Sequence, residues 1–139
     1  MQRIEEKLVE ITEGSTKILV PEKSLKDKAP PKVPAFFNPV AELNRDFSIL
    51  AYSAFWENFD KPLLFLDGLT GLGARSLRVA KEIPNVEKVI ANDINSEALK
   101  IAQNSANLNK ISNFEVSENE ICHFLANIQR KKKGAQLWM

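Results

Sequence analysis

The sequence has very few of the side chains that bind metals or form disulfides. Its 139 residues include one cysteine, Cys122, and one histidine, His123. A single cysteine excludes an intrachain disulfide and a cysteine-rich zinc site, and a single histidine argues against a histidine-based metal centre. Because the two residues are adjacent on a predicted helix, their side chains point in different directions, which argues against a catalytic pair. We therefore expect no bound metal.

The sequence also lacks an excess of one charge and a long apolar run. Nineteen Lys and Arg against 18 Asp and Glu give a net charge of +1, too little to hold a nucleic acid by charge alone. No apolar run approaches the ~18 residues that cross a bilayer, and the acidic segment 1–13 does not resemble a secretory leader. These features predict a cytoplasmic domain of mixed α/β class without membrane contact.

The apolar pattern divides the chain into a short N-terminal unit and a longer α/β unit. Residues 1–33 are predicted to form a β hairpin followed by a proline-containing linker. Within residues 34–139, segment 39–59 has apolar residues at three- and four-residue steps, which predicts a helix with one apolar stripe. From residue 62 onward, apolar runs alternate with helical patterns, as in βαβ units around a parallel sheet. Strands are predicted at 63–66, 86–91, 114–116 and 135–139, and helices at 74–82, 96–108 and 118–130.

A glycine-rich turn follows the first strand of the predicted sheet. It runs from Asp67 to Gly73 and includes Gly71, and Asp93 comes 20 residues after Gly73, near the end of the next strand. Open parallel sheets bind ligands at the carboxyl ends of their strands. Glycines admit a ligand close to the backbone, and a carboxylate at this spacing can accept both ribose hydroxyls of an adenosine. The glycines could also serve only to connect strand and helix.

Two ligand classes fit this pattern. A dinucleotide prefers a third glycine where the sequence has Ser76, because its pyrophosphate needs a close approach to the helix N-terminus. S-adenosylmethionine has no phosphate, and its ammonium group can pair with Asp67. The sequence therefore favours S-adenosylmethionine over a nicotinamide cofactor and predicts cofactor contacts at Asp67, Gly71, Gly73 and Asp93.

Further motifs indicate a family. Phe36-Phe37-Asn38-Pro39 and Asn44-Arg45-Asp46 precede the glycine turn, and Asn92-Asp93-Ile94 follows it. Together these segments resemble the tRNA guanine-26 N2-methyltransferases of archaea and eukaryotes, over about residues 34–109, and the N-terminal hairpin fits the archaeal type. The resemblance implies a Rossmann-like domain that uses S-adenosylmethionine to make N2-methyl- and N2,N2-dimethylguanosine in tRNA.

The resemblance also implies roles for single residues. Arg45 matches an arginine that reaches the methionine carboxylate of the cofactor, although it could instead form only a local ion pair with Asp46. Arg75 matches a second arginine that contacts the cofactor, and Asp93 matches the acid that binds the ribose. Asn119, with its neighbour Glu118, falls where the family contacts the adenine amine, but the local match is poor.

The guanine of the tRNA needs its own contacts, and the proline-bracketed aromatic segment is the candidate for them. Phe36 and Phe37 could stack on the base, and Asn38 could offer one hydrogen bond.

The family's catalytic motif, Asp-Pro-Phe-Gly after the fourth strand, has no counterpart in the sequence, whose fourth predicted strand is 135–139. We therefore assign no catalytic residue and expect a truncated domain that forms the cofactor-binding part of such an enzyme. The alternative is a non-catalytic remnant or accessory module that binds the cofactor or RNA. An apolar strand at the edge of the sheet would also favour self-association.

Overall fold

The N-terminal segment forms the hairpin that the sequence predicts. The computed structural model describes residues 6–131 and 137–138. Strands β1 (Leu8–Glu13) and β2 (Thr16–Pro21) pair antiparallel around Gly14. The fully buried Ile18 and Val20 of β2 join a cluster with Leu72 and Ile101 of the following α/β unit. The hairpin is therefore packed against that unit through shared apolar contacts. One helical turn, α1 (Lys23–Lys26), occupies the start of the predicted linker.

The α/β unit is built on a parallel sheet with the strand order β5-β4-β3-β6. Helices α2, α3 and α4 pack side by side, and α3 and α4 also contact the sheet. This arrangement confirms the predicted Rossmann-like α/β class. The elements are α2 (Glu42–Trp56), β3 (Leu63–Asp67), α3 (Ala74–Glu82), β4 (Val86–Asp93), α4 (Ser96–Leu108), β5 (Phe114–Glu118), α5 (Ile121–Lys131) and β6 (Leu137–Trp138).

The apolar runs of the sequence account for the central strands. Phe65 of β3 and Val89 of β4 lie in one core cluster with Leu77 of α3 and Ala102 of α4. Strands that are covered on both faces carry continuous apolar residues, which is why β3 contains Leu-Leu-Phe-Leu. None of the helices in the described part of the chain has the length and hydropathy of a membrane span.

Several element boundaries differ from the predicted ones. The predicted helix 39–59 begins as a 3₁₀ turn at Pro39–Ala41, and α2 itself ends at Trp56. The strand predicted at 114–116 extends to Glu118, and α5 begins at Ile121 instead of residue 118. Of the predicted strand 135–139, Leu137–Trp138 pairs with β3, and residues 135, 136 and 139 lie outside the described part of the chain.

Helix α2 turns much of its apolar stripe toward solvent. The side that faces the protein carries Arg45, Ile49 and Trp56, all buried. Four large apolar residues at a 3-4-3 spacing are between 64% and 87% exposed; they are Val40 of the 3₁₀ turn and Leu43, Phe47 and Leu50 of α2. The periodicity thus predicts the helix correctly, but the buried face is set by Arg45 and its partners.

A group of charged side chains, three of them buried, joins the hairpin to α2 and α3. Glu13, the last residue of β1, accepts hydrogen bonds from Arg45 Nε and Nη2 at 2.8 and 2.6 Å. The same carboxylate lies 3.7 Å from Arg78 Nη1. Arg78 also donates to Asp46 at 2.6 Å and to Glu82 at 2.9 Å. We call these five residues the charge network.

The network offsets the cost of burying its charges by supplying each guanidinium with carboxylates. Burial disfavours the charge of Arg78, but the hydrogen bonds with Glu82 and Asp46 raise its pKa above the usual value. Thr16 of β2 donates its hydroxyl to Glu82 at 2.7 Å, so both strands of the hairpin are tied to α3. Removing one partner from a buried ion pair typically costs about 3–5 kcal/mol, because the other charge is left uncompensated. The network therefore holds the hairpin in one position.

Gly14 offers a test of this constraint. Its φ is +56°, and an added Cβ would lie 2.3 Å from Glu82 Oε1 and 2.8 Å from Arg78 Nη2. Gly71 has nearly the same φ, +57°, but its nearest neighbour would be the Phe36 carbonyl oxygen at 4.0 Å. We expect Gly71→Ala to lower the free energy of unfolding by about 1 kcal/mol through backbone strain alone. Gly14→Ala should cost about 2–3 kcal/mol, because it also displaces the network. Urea denaturation measures the free energy of unfolding of both variants. Equal losses would contradict the conclusion that the charge network holds the hairpin in place.

Candidate functional site

A cavity of about 450 Å³ lies where β3 and β4 end. Pockets of this size accept small-molecule ligands. Its walls come from the glycine turn after β3, the end of β4, the segment before α2 and the first turns of α2 and α3. Eight of the ten residues predicted to bind cofactor or substrate line it: Phe36, Phe37, Asn38, Arg45, Asp67, Gly71, Arg75 and Asp93.

The two predicted glycines have different roles in the structure. Gly71 lines the cavity, and its positive φ and open surroundings leave the backbone accessible to a ligand. Gly73 precedes α3 with φ +87°, and an added Cβ would lie 3.0 Å from Ala102 Cβ. Gly73 is not among the lining residues; it allows α3 to pack closely against α4. A direct contact between Gly73 and the cofactor therefore stays a prediction.

Asp93 stands at the end of β4 and organises the turn opposite. Its Oδ2 accepts a hydrogen bond from the Gly71 N–H at 2.8 Å, and its Oδ1 accepts one from the Asn95 N–H at 2.9 Å. Each oxygen of an ionised carboxylate has a second lone pair, so Asp93 can accept two further hydrogen bonds. The carboxylate is thus fixed in place and still able to bind hydroxyl groups.

Asp67 ends β3 and is half-buried at the cavity wall. Burial raises the pKa of its carboxyl above the usual 3.8, against the opposing effect of hydrogen bonds from Thr70 and Leu69. Arg75 lowers this pKa as well, but less. The surrounding protein groups do not fully offset the cost of burying the negative charge of Asp67. A cationic ligand group beside this carboxylate would therefore be stabilised.

Two arginines reach the same cavity. Arg45 stacks on the Phe37 ring at 4.7 Å and donates to the Asn38 carbonyl at 3.1 Å, besides its two hydrogen bonds to Glu13. Arg75 donates from Nη2 to Asn44 at 3.0 Å. The buried Nε of Arg75 has no partner in the described part of the chain. Among the described residues, Arg45 forms its ion pair with Glu13 and not with the neighbouring Asp46, which pairs with Arg78 instead.

The aromatic segment divides between core and cavity rim. Phe37 is only 3% exposed and lies under Arg45, whereas Phe36 is 53% exposed. The Asn38 side chain accepts from the Val40 N–H at 3.0 Å, which caps the 3₁₀ turn before α2. Phe36 is consequently the aromatic ring of this segment that remains accessible at the cavity rim.

Asn119 lies outside this cavity. It is exposed after the end of β5, where its side chain donates to Ser117 at 2.9 Å. Its backbone carbonyl accepts from the fully buried Asn92 at 2.9 Å. The neighbouring Glu118 is exposed and is not among the lining residues either. In the described residues, three or more His, Cys, Asp or Glu do not gather into a metal-binding group.

Two asparagines that were not among the predicted site residues shape the site. Asn92 also donates to the Gly68 carbonyl at 3.1 Å, so it links the glycine turn to the end of β5. Asn95 caps α4 and donates to the Pro34 carbonyl at 2.8 Å, which holds the aromatic segment against α4. Neither of these long-range contacts can be predicted from the local sequence pattern.

Comparison with known proteins identifies the family. The model of the N2,N2-dimethylguanosine tRNA methyltransferase family matches residues 14–134, which is most of the chain. This chain belongs to that family. The resemblance predicted from its motifs is therefore confirmed.

Curated members of the family are substantially similar to the chain. The tRNA (guanine(26)-N(2))-dimethyltransferase of Methanosphaera stadtmanae is 40% identical over 110 residues, which are 79% of this chain and 27% of the relative. The enzyme of the same name from Sulfolobus acidocaldarius is 38% identical over 127 residues, 88% of this chain and 32% of the relative. The chain thus spans about a quarter to a third of the length of these relatives.

Solved structures agree with the fold. The complex of Trm1 from Pyrococcus horikoshii with S-adenosyl-L-methionine superimposes with a TM-score of 0.57 at 34% identity, covering 73% of this chain and 24% of that one. A SAM-dependent methyltransferase from Agrobacterium tumefaciens has a TM-score of 0.66 at 16% identity, covering 94% and 37%. The second likeness supports the fold alone.

The raised pKa of Asp67 leads to a prediction about stability. A carboxyl group whose pKa is raised by folding binds its proton more tightly in the folded state. Its contribution to stability is complete below the pKa of the unfolded chain, and it is lost as the pH rises through the pKa of the folded state. We therefore expect Asp67→Asn to raise the free energy of unfolding at pH 7, and the gain to vanish as the pH falls below about 3.8. Denaturation across this range measures it, with the exposed Asp60→Asn as a control. A gain in the free energy of unfolding that does not change with pH would contradict the raised pKa of Asp67.

Proposed function

We propose that this chain forms the cofactor-binding part of a tRNA guanine-26 N2-methyltransferase and binds S-adenosylmethionine in the cavity at the ends of β3 and β4. The observation that carries the proposal is the set of charges around one cavity. Two carboxylates, Asp67 and Asp93, and two arginines, Arg45 and Arg75, line it together. A ligand with two hydroxyls, an ammonium and a carboxylate matches that set.

The residues fit the cofactor group by group. Asp93 has free acceptor positions for the two ribose hydroxyls, and Gly71 leaves room beside them. Asp67, whose charge is incompletely compensated, suits the ammonium of the methionine moiety. The unpaired Nε of Arg75 and the guanidinium of Arg45 suit its carboxylate. When bound, the cofactor supplies a methyl group on a positively charged sulfur.

The guanine would approach from the side of the aromatic segment. Phe36 is exposed at the cavity rim and offers a face on which a base can stack. Lys32 is exposed at the same rim and can contact a phosphate of the tRNA. Because tRNA is the proposed substrate, we also propose a cytoplasmic location.

We further propose that the chain associates with copies of itself through the edge of its sheet. Among the described residues, β6 forms one end of the four-stranded sheet and its outer backbone groups have no strand beside them. Unpaired edges invite a second strand. Sedimentation velocity should show a coefficient that rises with protein concentration, and a monomer over the whole range would contradict this prediction.

Substitution of Asp93 tests the cofactor assignment. We expect Asp93→Ala to weaken S-adenosylhomocysteine binding by about 1–3 kcal/mol, because the ribose hydroxyls lose their charged acceptor. Glu97→Ala is the control, since Glu97 is exposed on the first turn of α4 and does not line the cavity. Isothermal titration calorimetry measures both variants. Preferential binding of NADH over S-adenosylhomocysteine by the unaltered chain would overturn the assignment.

Methyl transfer by this chain alone should be negligible. Alignment of the guanine amine with the methyl group supplies much of the rate of such a reaction. The carboxylates that line the cavity, Asp67 and Asp93, are both assigned to the cofactor, which leaves no carboxylate there for the guanine amine. The measurement is tritiated methyl transfer to unmodified tRNA, with a tRNA that lacks guanine at position 26 as control. Guanine-26-dependent incorporation would refute the prediction, and Asp46 would then be the first residue to mutate.

A further inference from the structure

We infer that Glu13, the last residue of β1 in the N-terminal hairpin, is a positioning residue that holds Arg45 ready for the carboxylate of the cofactor. The inference rests on the proposed function. It extends the cofactor site to a segment that lies outside the cavity, because Glu13 is buried and is not among the lining residues.

The hydrogen bonds of Arg45 define which part of its guanidinium remains for a ligand. Glu13 accepts from Nε and Nη2, and the Asn38 carbonyl accepts the second hydrogen of Nη2. A guanidinium has five N–H groups, so both hydrogens of Nη1 remain. In the described part of the chain, Nη1 has no hydrogen-bond partner. A cofactor carboxylate can therefore bind Nη1 without displacing Glu13.

The contact between Glu13 and Arg45 is strong enough to persist. The two side chains are 3% and 9% exposed, and the charged hydrogen bonds are 2.8 and 2.6 Å long. Such short bidentate pairs fix the plane of the guanidinium. Exchange of Glu13 for the cofactor carboxylate would leave Glu13 buried beside Arg78 alone, at 3.7 Å. The ligand is thus added to the pair and does not replace it.

Positioning matters because arginine is otherwise flexible. A free arginine side chain loses conformational entropy when a ligand orders it, and this loss weakens binding. The Phe37 ring supports one face of the guanidinium at 4.7 Å, but a ring contact does not fix rotation in the plane. Glu13 supplies that restraint through its two oxygens.

The test compares two ligands that share an adenosine but differ in the carboxylate. S-adenosylhomocysteine carries the amino acid moiety, and 5′-methylthioadenosine lacks it. We expect Glu13→Gln to weaken S-adenosylhomocysteine binding about tenfold, and to change 5′-methylthioadenosine binding less than about twofold. Calorimetry on the full chain gives both dissociation constants, and thermal melting reports whether the variant is folded.

Glu82→Gln is the matched control. It removes a charge from the same network but does not contact Arg45. It should lower stability and leave the ratio of the two affinities unchanged. Glu13→Asp keeps the charge but shortens the side chain, and it serves if Glu13→Gln does not fold; it too should weaken S-adenosylhomocysteine selectively.

Three results would overturn the inference. Equal weakening of both ligands by Glu13→Gln would make Glu13 merely structural, and the proposed cofactor site would stand. Tighter binding of S-adenosylhomocysteine would show that Glu13 competes with the cofactor for Arg45. Failure of the unaltered chain to bind either ligand would overturn the proposed function and this inference together.

Discussion

The carboxylate of Glu13, buried between two guanidinium groups, is the constraint on which the rest of the structure depends. It belongs to a hairpin, yet its partners Arg45 and Arg78 lie on two different helices of the α/β unit. A hairpin alone has marginal stability. The ion pairs and the apolar contacts of Ile18 and Val20 hold it against α3 and α4. The same pairs fix the face that α2 presents to the protein, and thereby place Arg45 at the cavity.

The alternation of strands and helices could be predicted because each element carries its own local signal. Continuous apolar runs mark β3 and β4, and Asn95 caps α4 with hydrogen bonds to the Glu97 and Ala98 N–H groups. The orientation of α2 could not be predicted in this way. Its apolar residues form a regular stripe, but burial of Arg45 turns Leu43, Phe47 and Leu50 outward. The side of α2 that is buried thus depends on Glu13, which lies 32 residues before Arg45 in the chain.

The candidate site was predictable to the extent that topology brings strand ends together. Asp67 and Asp93 end neighbouring parallel strands, so their meeting at one cavity follows from the βαβ pattern. Contacts between distant segments were not predictable, such as those from Glu13 to Arg45 and from Asn95 to Pro34. The motif Phe36-Phe37 gives no sign that one ring is buried under an arginine and the other exposed, because that division depends on tertiary packing.

A crystal structure of the chain with S-adenosylhomocysteine tests the account most directly. We predict that the ligand carboxylate lies within hydrogen-bond distance of Arg45 Nη1, that its ribose hydroxyls bind Asp93, and that the Glu13–Arg45 hydrogen bonds are retained. A ligand whose carboxylate has taken the place of Glu13, or one that is bound away from the ends of β3 and β4, would contradict the account.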